Sequence, residues 1–431
     1  METSPLLARG SPDTSKNGGV AGISKQSLWL AFSLFGGLIY GYNVSIASSL
    51  PYIADDLSLS TSQQEMASAS ATLSDACTML VGGRLADYIG RRPTAMFACC
   101  ASIVGALGML ALHSSFPVFI FWRLCTGMGN ALSILVIPMY ISENVDMTHR
   151  GRCISFFQLG VLLGCVLPYV PMLLWENWLL TLSFGALPAV VIFGCFCTDH
   201  FGESATWTTR QSRDAETTLK PSTVPSSSYE LFLGILLAYS NNSIDPTLFY
   251  GPEIISQTLG SAFTRHSSNV VGMLLCGLSV VSVVYAAVWL PESFHRRRFY
   301  LICHGVVVIC FAICSGIFLA LPTSLDESAF ARTILLAAMG IMVLFQTVGP
   351  GMLFVLIVSE LFEDGAVRAT YMSYCTFAMS AFSLVINGTM LSLFAWLSVG
   401  GTFCLYGVSY AACFVIFWYG LPETSTRQIV A

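Results

Sequence analysis

Charge is what this chain has least of. Of its 431 residues, 10% are charged and 55% hydrophobic, whereas soluble domains usually carry about 25% charged residues. So little charge cannot cover a globule of this length in water, which excludes a soluble protein and leaves the bilayer as the main solvent. A basic face is also missing. The 19 Lys and Arg residues fall in short, scattered clusters under a net charge of −5, which excludes nucleic acid as a partner. The polar first 25 residues contain no apolar h-region, so no cleavable signal is expected. Cysteine is plentiful, but Cys77, Cys99, Cys100, Cys165, Cys195, Cys197, Cys310 and Cys314 sit inside apolar runs, and no CxxC pair with metal spacing recurs. They read as packing residues. His113, His149, His200, His266, His295 and His304 are dispersed. No His/Cys/Asp constellation forms at one depth, so no enzyme, metal or cofactor is expected.

In place of charge the chain has long apolar runs. A bilayer-crossing helix needs about 20 mostly apolar residues. Such runs lie near 28–50, 66–83, 95–113, 117–141, 153–174 and 179–198, then near 230–251, 268–290, 299–321, 330–358, 371–393 and 399–420. Two sets of six predict an all-α membrane protein of twelve transmembrane helices in two six-helix bundles. Pro138, Pro168, Pro246 and Pro350 are expected to interrupt spans, which is tolerated where neighbouring helices line a cavity. The expected organisation is a tail at 1–27, a first bundle at 28–198, a polar Ser/Thr/Pro-rich linker at 199–229, a second bundle at 230–420 and a tail at 421–431.

Sixteen of the 19 basic residues fall on one side of these spans, while Asp55, Asp56, Glu65, Glu176, Asp326 and Glu327 fall on the other. Basic loops stay in the cytoplasm, so both termini and the linker are expected there. The halves echo each other. "YISENVDMTHRG" carries Glu143 and Arg150, and "VSELFEDGAVRA" carries Glu360 and Arg368. "GES" at 202–204, "PES" at 291–293 and "PET" at 422–424 recur at span ends. Parallel internal repeats of this kind build one large class of transporters.

Between the second and third spans, "GGRLADYIGRRP" brings Arg84, Asp87, Arg91 and Arg92 together. "RLCTGMGNALSILVIPMYISE" with a following "RG", "QLGVLLG" at 158–164, "VGPG" at 348–351 before "SELF", and a final "PETSTR" follow in order. By these motifs the chain resembles the major facilitator superfamily, and within it the sugar-porter family of hexose facilitators, over nearly its whole length. The resemblance implies a clamp. Asp87, Arg91, Arg92, Glu143 and Arg150, with Arg84 nearby, would hold the cytoplasmic face closed and part as it opens. Arg296, Arg298, Glu360 and Arg368 offer the same in the second half. The residues alone show clustered, balanced charge at partly shielded helix ends, where ion pairs are worth more than on an open surface. Arginines that only set topology are the alternative, but positive-inside bias needs no acids.

A polar solute crossing at mid-membrane needs hydrogen-bond partners on facing helices. Gln158 in "FFQLGVLLG" matches the family's sugar-contacting glutamine, a helix–helix hydrogen bond being its alternative use. Asn43 stands where proton-coupled members carry Asp; an amide cannot titrate, which favours uniport, while Asp245 leaves symport open. "SNNSIDP" places Ser240, Asn241 and Asn242 at the family's two glutamines, Val355 replaces a tryptophan, and Thr347 stands where many facilitators have a carboxylate. Asn387 and Arg123 are further cavity candidates. With the aromatic platform gone, a standard glucose specificity is not expected.

The resulting expectation is facilitative uniport of a sugar, polyol or similar small polar solute by alternating access, within a lipid bilayer. The alternatives are a carrier of another organic solute with a repurposed site, and a transporter-shaped sensor that moves nothing. "METSPLL" sets Glu2 ahead of Leu6 and Leu7 as an acidic dileucine signal for a sorting adaptor. An endolysosomal membrane is therefore expected as an alternative to the plasma membrane.

Overall fold

Long apolar stretches form long rods here because backbone in lipid has to satisfy its own hydrogen bonds, and a helix does so within one segment. The computed structural model describes residues 25–423 except 112–114, 199, 205–206, 210–227, 259–263, 290–294, 321–328 and 363–364. Glu2, Leu6, Leu7 and most of the linker lie outside the described residues.

The first half comprises α1 (Lys25–Val44), α2 (Leu50–Asp56), α3 (Thr61–Ile89), α4 (Arg91–Ala111), α5 (Phe116–Asn144), α6 (Met147–Val166), α7 (Tyr169–Trp175), α8 (Trp178–Ser183) and α9 (Ala186–Phe196). The second comprises α10 (Ser228–Asn241), a 3-10 turn at Asn242–Ile244, α11 (Asp245–Thr258), α12 (Arg265–Trp289), α13 (Arg296–Ala320), α14 (Ala329–Gln346), a π turn at Thr347–Gly351, α15 (Met352–Leu361) and α16 (Gly365–Gly420). Among the described residues, eight helical segments are long and apolar enough to cross a membrane. Ser398, at φ 63°, interrupts α16. Beyond it the chain runs back along α13, with Phe318 against Phe403, Phe311 against Tyr410 and His304 against Phe414.

Local chemistry sets the boundaries. Ser60 and Gln63 form a capping box at the start of α3, reciprocally satisfying two orphan donors. Asn177 caps α8 by accepting from the Leu180 N–H at 3.1 Å. Pro168 separates α6 from α7, Pro246 follows the break between α10 and α11, and Pro350 lies in the π turn. Pro138 differs from expectation: α5 continues through it from Phe116 to Asn144. Helix α3 also extends beyond the apolar window at 66–83 at both ends, because its polar ends continue the helix outside the greasy segment.

The rods present apolar side chains outward, including Val104, Leu107, Ile309 and Val408, and place bulky aromatics at their ends, with Trp396 88% and Tyr419 83% exposed. Apolar flanks with aromatic ends suit a bilayer and its two interfaces. Inside, the packing is asymmetric. At the end carrying α2, one core crosses between halves, joining Ile46, Leu50 and Ile53 to Tyr250, Ile254, Ile386 and Met390. At the end carrying Arg91 and Arg296, the core divides. Phe32, Val136 and Tyr140 pack in the first half, and Leu233, Tyr300 and Phe417 pack separately in the second. The halves thus share one core at the first end, called the sealed end below, and keep separate cores at the second, called the parted end.

Candidate functional site

At the parted end Arg91 is 2% exposed. Its Nη1 donates to Ala86 O at 2.9 Å and Asp87 Oδ1 at 2.7 Å, while Nε and Nη2 donate to Glu143 at 3.2 and 3.1 Å. The backbone N–H groups of Arg91 and Arg92 donate to the Glu203 carboxylate at 3.0 and 3.1 Å, which places an anion on the N-terminus of α4. Gly90 makes this approach possible: its φ is +105°, and a Cβ there would lie 2.5 Å from Glu203 Oε2. Arg92 Nη2 also donates to Phe196 O.

The second half repeats much of the arrangement. Arg296 pairs with Glu360, the Arg297 N–H donates to Glu423 Oε1 at 3.5 Å, and Arg297 Nη2 donates to Trp418 O at 2.6 Å. Glu203 and Glu423 belong to the recurring "GES" and "PET" strings, so the repeat was visible in the sequence but its partners were not. Arg84 and Arg298 are exposed. Arg150 is half-buried, and among the described residues no carboxylate lies within ion-pair distance of it. The Arg368 side chain lies outside the described residues.

Midway along the rods, α10 and α14 are broken opposite each other. The break frees the Ser240 and Asn241 carbonyls, and fully buried Gln346 donates Nε2 to them at 3.2 and 2.9 Å. Gln346 Oε1 has no hydrogen-bond partner among the described residues. Sequence reasoning passed over Gln346 although it adjoins Thr347; an intramembrane amide beside "VGPG" was the available signal. Asn241 Nδ2 reaches Met379 Sδ at 3.1 Å, and Asn242 Nδ2 donates to Met379 O at 2.7 Å. Thr347 donates back to Val343 O at 2.7 Å, and Asn43 donates to Ile39 O at 2.9 Å, both within their own helices. Arg123, 1% exposed, donates to Asn43 O at 3.0 Å at the end of α1. Asn387 donates to Ser383 Oγ at 3.2 Å, and its Oδ1 has no hydrogen-bond partner among the described residues. Gln158 is half-buried on α6. The structure thus gathers Asn241, Asn242, Thr347 and Asn387 around the double break, and among the described residues Gln346 Oε1 and Asn387 Oδ1 remain unspent there, with the Ser243 and Thr247 hydroxyls beside them and Gln158 on α6.

Two acids occupy the same depth. Asp75 Oδ2 accepts from Ser380 at 3.0 Å, and Asp245 Oδ2 accepts from Ser383 at 2.6 Å. Above them the halves are tied by Ser392, whose N–H and hydroxyl donate to Glu65 at 2.6 and 2.8 Å, and by Asn269 donating to Ser48 O at 3.3 Å. At the sealed end, Arg265 pairs with Asp55 and lies over the Tyr52 ring at 5.8 Å. Both ion-pair partners are more than half exposed, so the pair contributes at most about 1 kcal/mol. Arg265→Ala is therefore expected to raise the opening of this end by no more than about fivefold. Distances between spin labels on α2 and α12 would report it, and high salt should reproduce the effect in the unmodified protein.

Lipid-facing rods in two similar halves, sealed at one end and parted at the other around a broken polar centre, define a multi-pass membrane carrier rather than an enzyme. Residues 30–359 match the Major Facilitator Superfamily, and the chain belongs to it. Among its relatives, the Arabidopsis thaliana "Probable polyol transporter 4" is 24% identical, over 92% of this chain and 82% of that protein. The Escherichia coli (strain K12) "Arabinose-proton symporter" is 24% identical over 90% and 88%. The crystal structure of a D-xylose-proton symporter superposes with a TM-score of 0.75 at 19% identity, covering 92% of this chain and 98% of that one.

Proposed function

We propose that this protein carries a sugar, polyol or similar small polar solute across a membrane by alternating access. The observation that carries the reading is the asymmetry of the core: one apolar plug at the α2 end, two separate cores at the Arg91 end, and unspent amides between them. With twelve spans in two six-helix bundles (28–198 and 230–420) and basic loops in the cytoplasm, this conformation is inward-facing. The paired networks Arg91–Glu143 and Arg296–Glu360 close within their own halves here. They sit where a cytoplasmic clamp would form in the opposite state. Relatives that act on polyols and arabinose support the solute class.

Asn43 exchanges no proton and supports uniport at that position; Asp75 and Asp245 are the acids a coupled mechanism would use. The dileucine at Leu6 and Leu7 supports delivery to an endolysosomal membrane through a sorting adaptor, with the plasma membrane as the alternative.

Gln158→Ala tests the site. One lost hydrogen bond to a solute hydroxyl is worth about 1 kcal/mol, and more where a buried group is left unmet. The KM for entrance counterflow is expected to rise roughly five- to thirtyfold with the protein's Tm unchanged. An unaltered KM would remove Gln158 from the site.

A further inference from the structure

The amides around the double break share a property: the fold engages their donors and leaves oxygens over. Gln346 has two amide protons, and both go to freed carbonyls, Ser240 O and Asn241 O. What remains is its carbonyl oxygen, buried without a hydrogen-bond partner among the described residues. Asn387 reaches the same end by another route. The Ser383 hydroxyl gives its one proton to Asp245, so it can only accept from Asn387 Nδ2, and Asn387 is left with an unmet Oδ1. Asn241, Asn242 and Thr347 likewise donate to protein atoms.

Two carboxylates stand in this acceptor-rich region. Asp75 and Asp245 are 4% and 8% exposed. One comes from α3 in the first half and the other opens α11 in the second. Both accept from α16, at Ser380 and Ser383, which are neighbours on one helix face. Asp75 Oδ1 is buried and has no hydrogen-bond partner among the described residues. Neither acid belongs to an ion pair among the described residues. Other buried groups that could carry charge are engaged elsewhere: Arg123 donates to Asn43 O, Glu65 is held by Ser392, and His304 turns to Tyr410 O. Tyr40 from α1 is in electrostatic reach of both acids, and Tyr406 and Tyr410 of Asp245. Phenols are neutral at pH 7, and their ring faces attract cations.

A carboxylate without a counter-charge inside a membrane is expensive and by default functional. The groups left over say what a ligand has to bring. A solute hydroxyl brings one donor, two acceptor lone pairs and no charge. A primary ammonium brings three donors, no acceptor and the missing positive charge. The Ser243 and Thr247 hydroxyls, buried and unpartnered among the described residues, and Gln158 can both give and accept, which suits hydroxyl groups elsewhere on the same solute.

We propose that the central site takes an amino sugar or amino polyol, with its ammonium group held between Asp75 and Asp245 and its hydroxyls held by the neutral polar groups of the double break and α6. The proposal rests on the carrier reading above and makes its solute a cation. It also gives the halves a reason to close. Asp75 and Asp245 belong to opposite halves and repel each other; a cation between them turns repulsion into attraction toward a shared charge, so occupancy biases the rocking.

Matched pairs isolate the charge. 1-Amino-1-deoxy-D-sorbitol differs from D-sorbitol, and D-glucosamine from D-glucose, by an amine in place of one hydroxyl, largely protonated at about pH 7. Calorimetric titration of the full chain in lipid nanodiscs is expected to give each amine a Kd about tenfold below that of its neutral partner, the margin of a charge-assisted hydrogen bond over a neutral one. Asp75→Asn and Asp245→Asn keep the side-chain shape and should each erase the margin. The wild-type comparison needs no variant, so it decides even if either substitution prevents folding. A neutral solute that binds as tightly as its amine overturns the proposal and leaves the carrier standing.

Transport reads the charge separately. In proteoliposomes, an interior-negative potential should accumulate 1-amino-1-deoxy-D-sorbitol about tenfold per 59 mV, the value for one charge, and leave D-sorbitol level across the membrane. Amine binding without counterflow of any of the four solutes upholds the site and overturns the carrier reading. Counterflow of the neutral solutes alone overturns the amine site.

Discussion

Gly160→Val should leave almost no folded protein in the membrane. Helices α1 and α6 run parallel with Gly37 and Gly41 set against Gly160 and Gly164, a pair of small-xxx-small faces that lets the backbones touch. A Cβ at Gly160 would lie 2.1 Å from Leu34 O, one at Gly41 would lie 1.9 Å from Val161 O, and one at Gly37 would lie 2.0 Å from Phe157 O. The obstructing atoms are backbone, which cannot rotate aside as a side chain can. Overpacking a core costs about 1–3 kcal/mol where side chains adjust. Here the helices have to separate, so the loss is expected to exceed that range and reach the roughly 5 kcal/mol that holds a marginally stable chain folded. Gly194→Ala is the control, because nothing lies within 4 Å of a Cβ at that position. Fluorescence-detected size-exclusion of both variants decides the matter: a monodisperse Gly160→Val peak with wild-type Tm would show that the two helices do not meet as described.

Arg91→Ala is the second large effect. The change strands Glu143, whose side chain is 14% exposed, and removes the cation that ties α3, α4 and α5 at the parted end. Removing one partner of a buried pair costs about 3–5 kcal/mol. Arg84→Ala, at an exposed position in the same loop, should stay within about 0.5 kcal/mol. Pairing Arg91→Met with Glu143→Leu should recover much of the loss, since replacing a buried ion pair by apolar side chains is often neutral. Thermal unfolding in detergent with tightly matched lipid content reads all three. Equal Tm values for Arg91→Ala and Arg84→Ala would mean the burial of Arg91 carries no weight.

The all-helical architecture and the superfamily were legible because hydropathy and loop charge are properties of consecutive residues. The charged cluster was legible for the same reason: Asp87, Arg91 and Arg92 are near neighbours in sequence, and Arg91 bonds to Asp87 one turn away. The glycine faces of α1 and α6 were also present as spacing, though spacing does not say which helix each face meets. The interior was read less well. Asn43, Asn242 and Thr347 look like free ligands in sequence, yet each donates to a backbone carbonyl in the fold. Glu203 looked like one letter of a recurring string, and in the fold it binds the N-terminus of α4.

The sequence by itself determined the solvent this chain lives in and the rods it forms. Each of these follows from local free energies of transfer and from charge, summed along the chain. Only the tertiary structure decided which polar groups are spent and which remain, which end is sealed, and that Asp75 meets a serine 305 residues away. The reason is that a buried polar atom in a membrane protein has no water to fall back on. Its partner is whatever a neighbouring helix presents at that depth, and no stretch of sequence contains both.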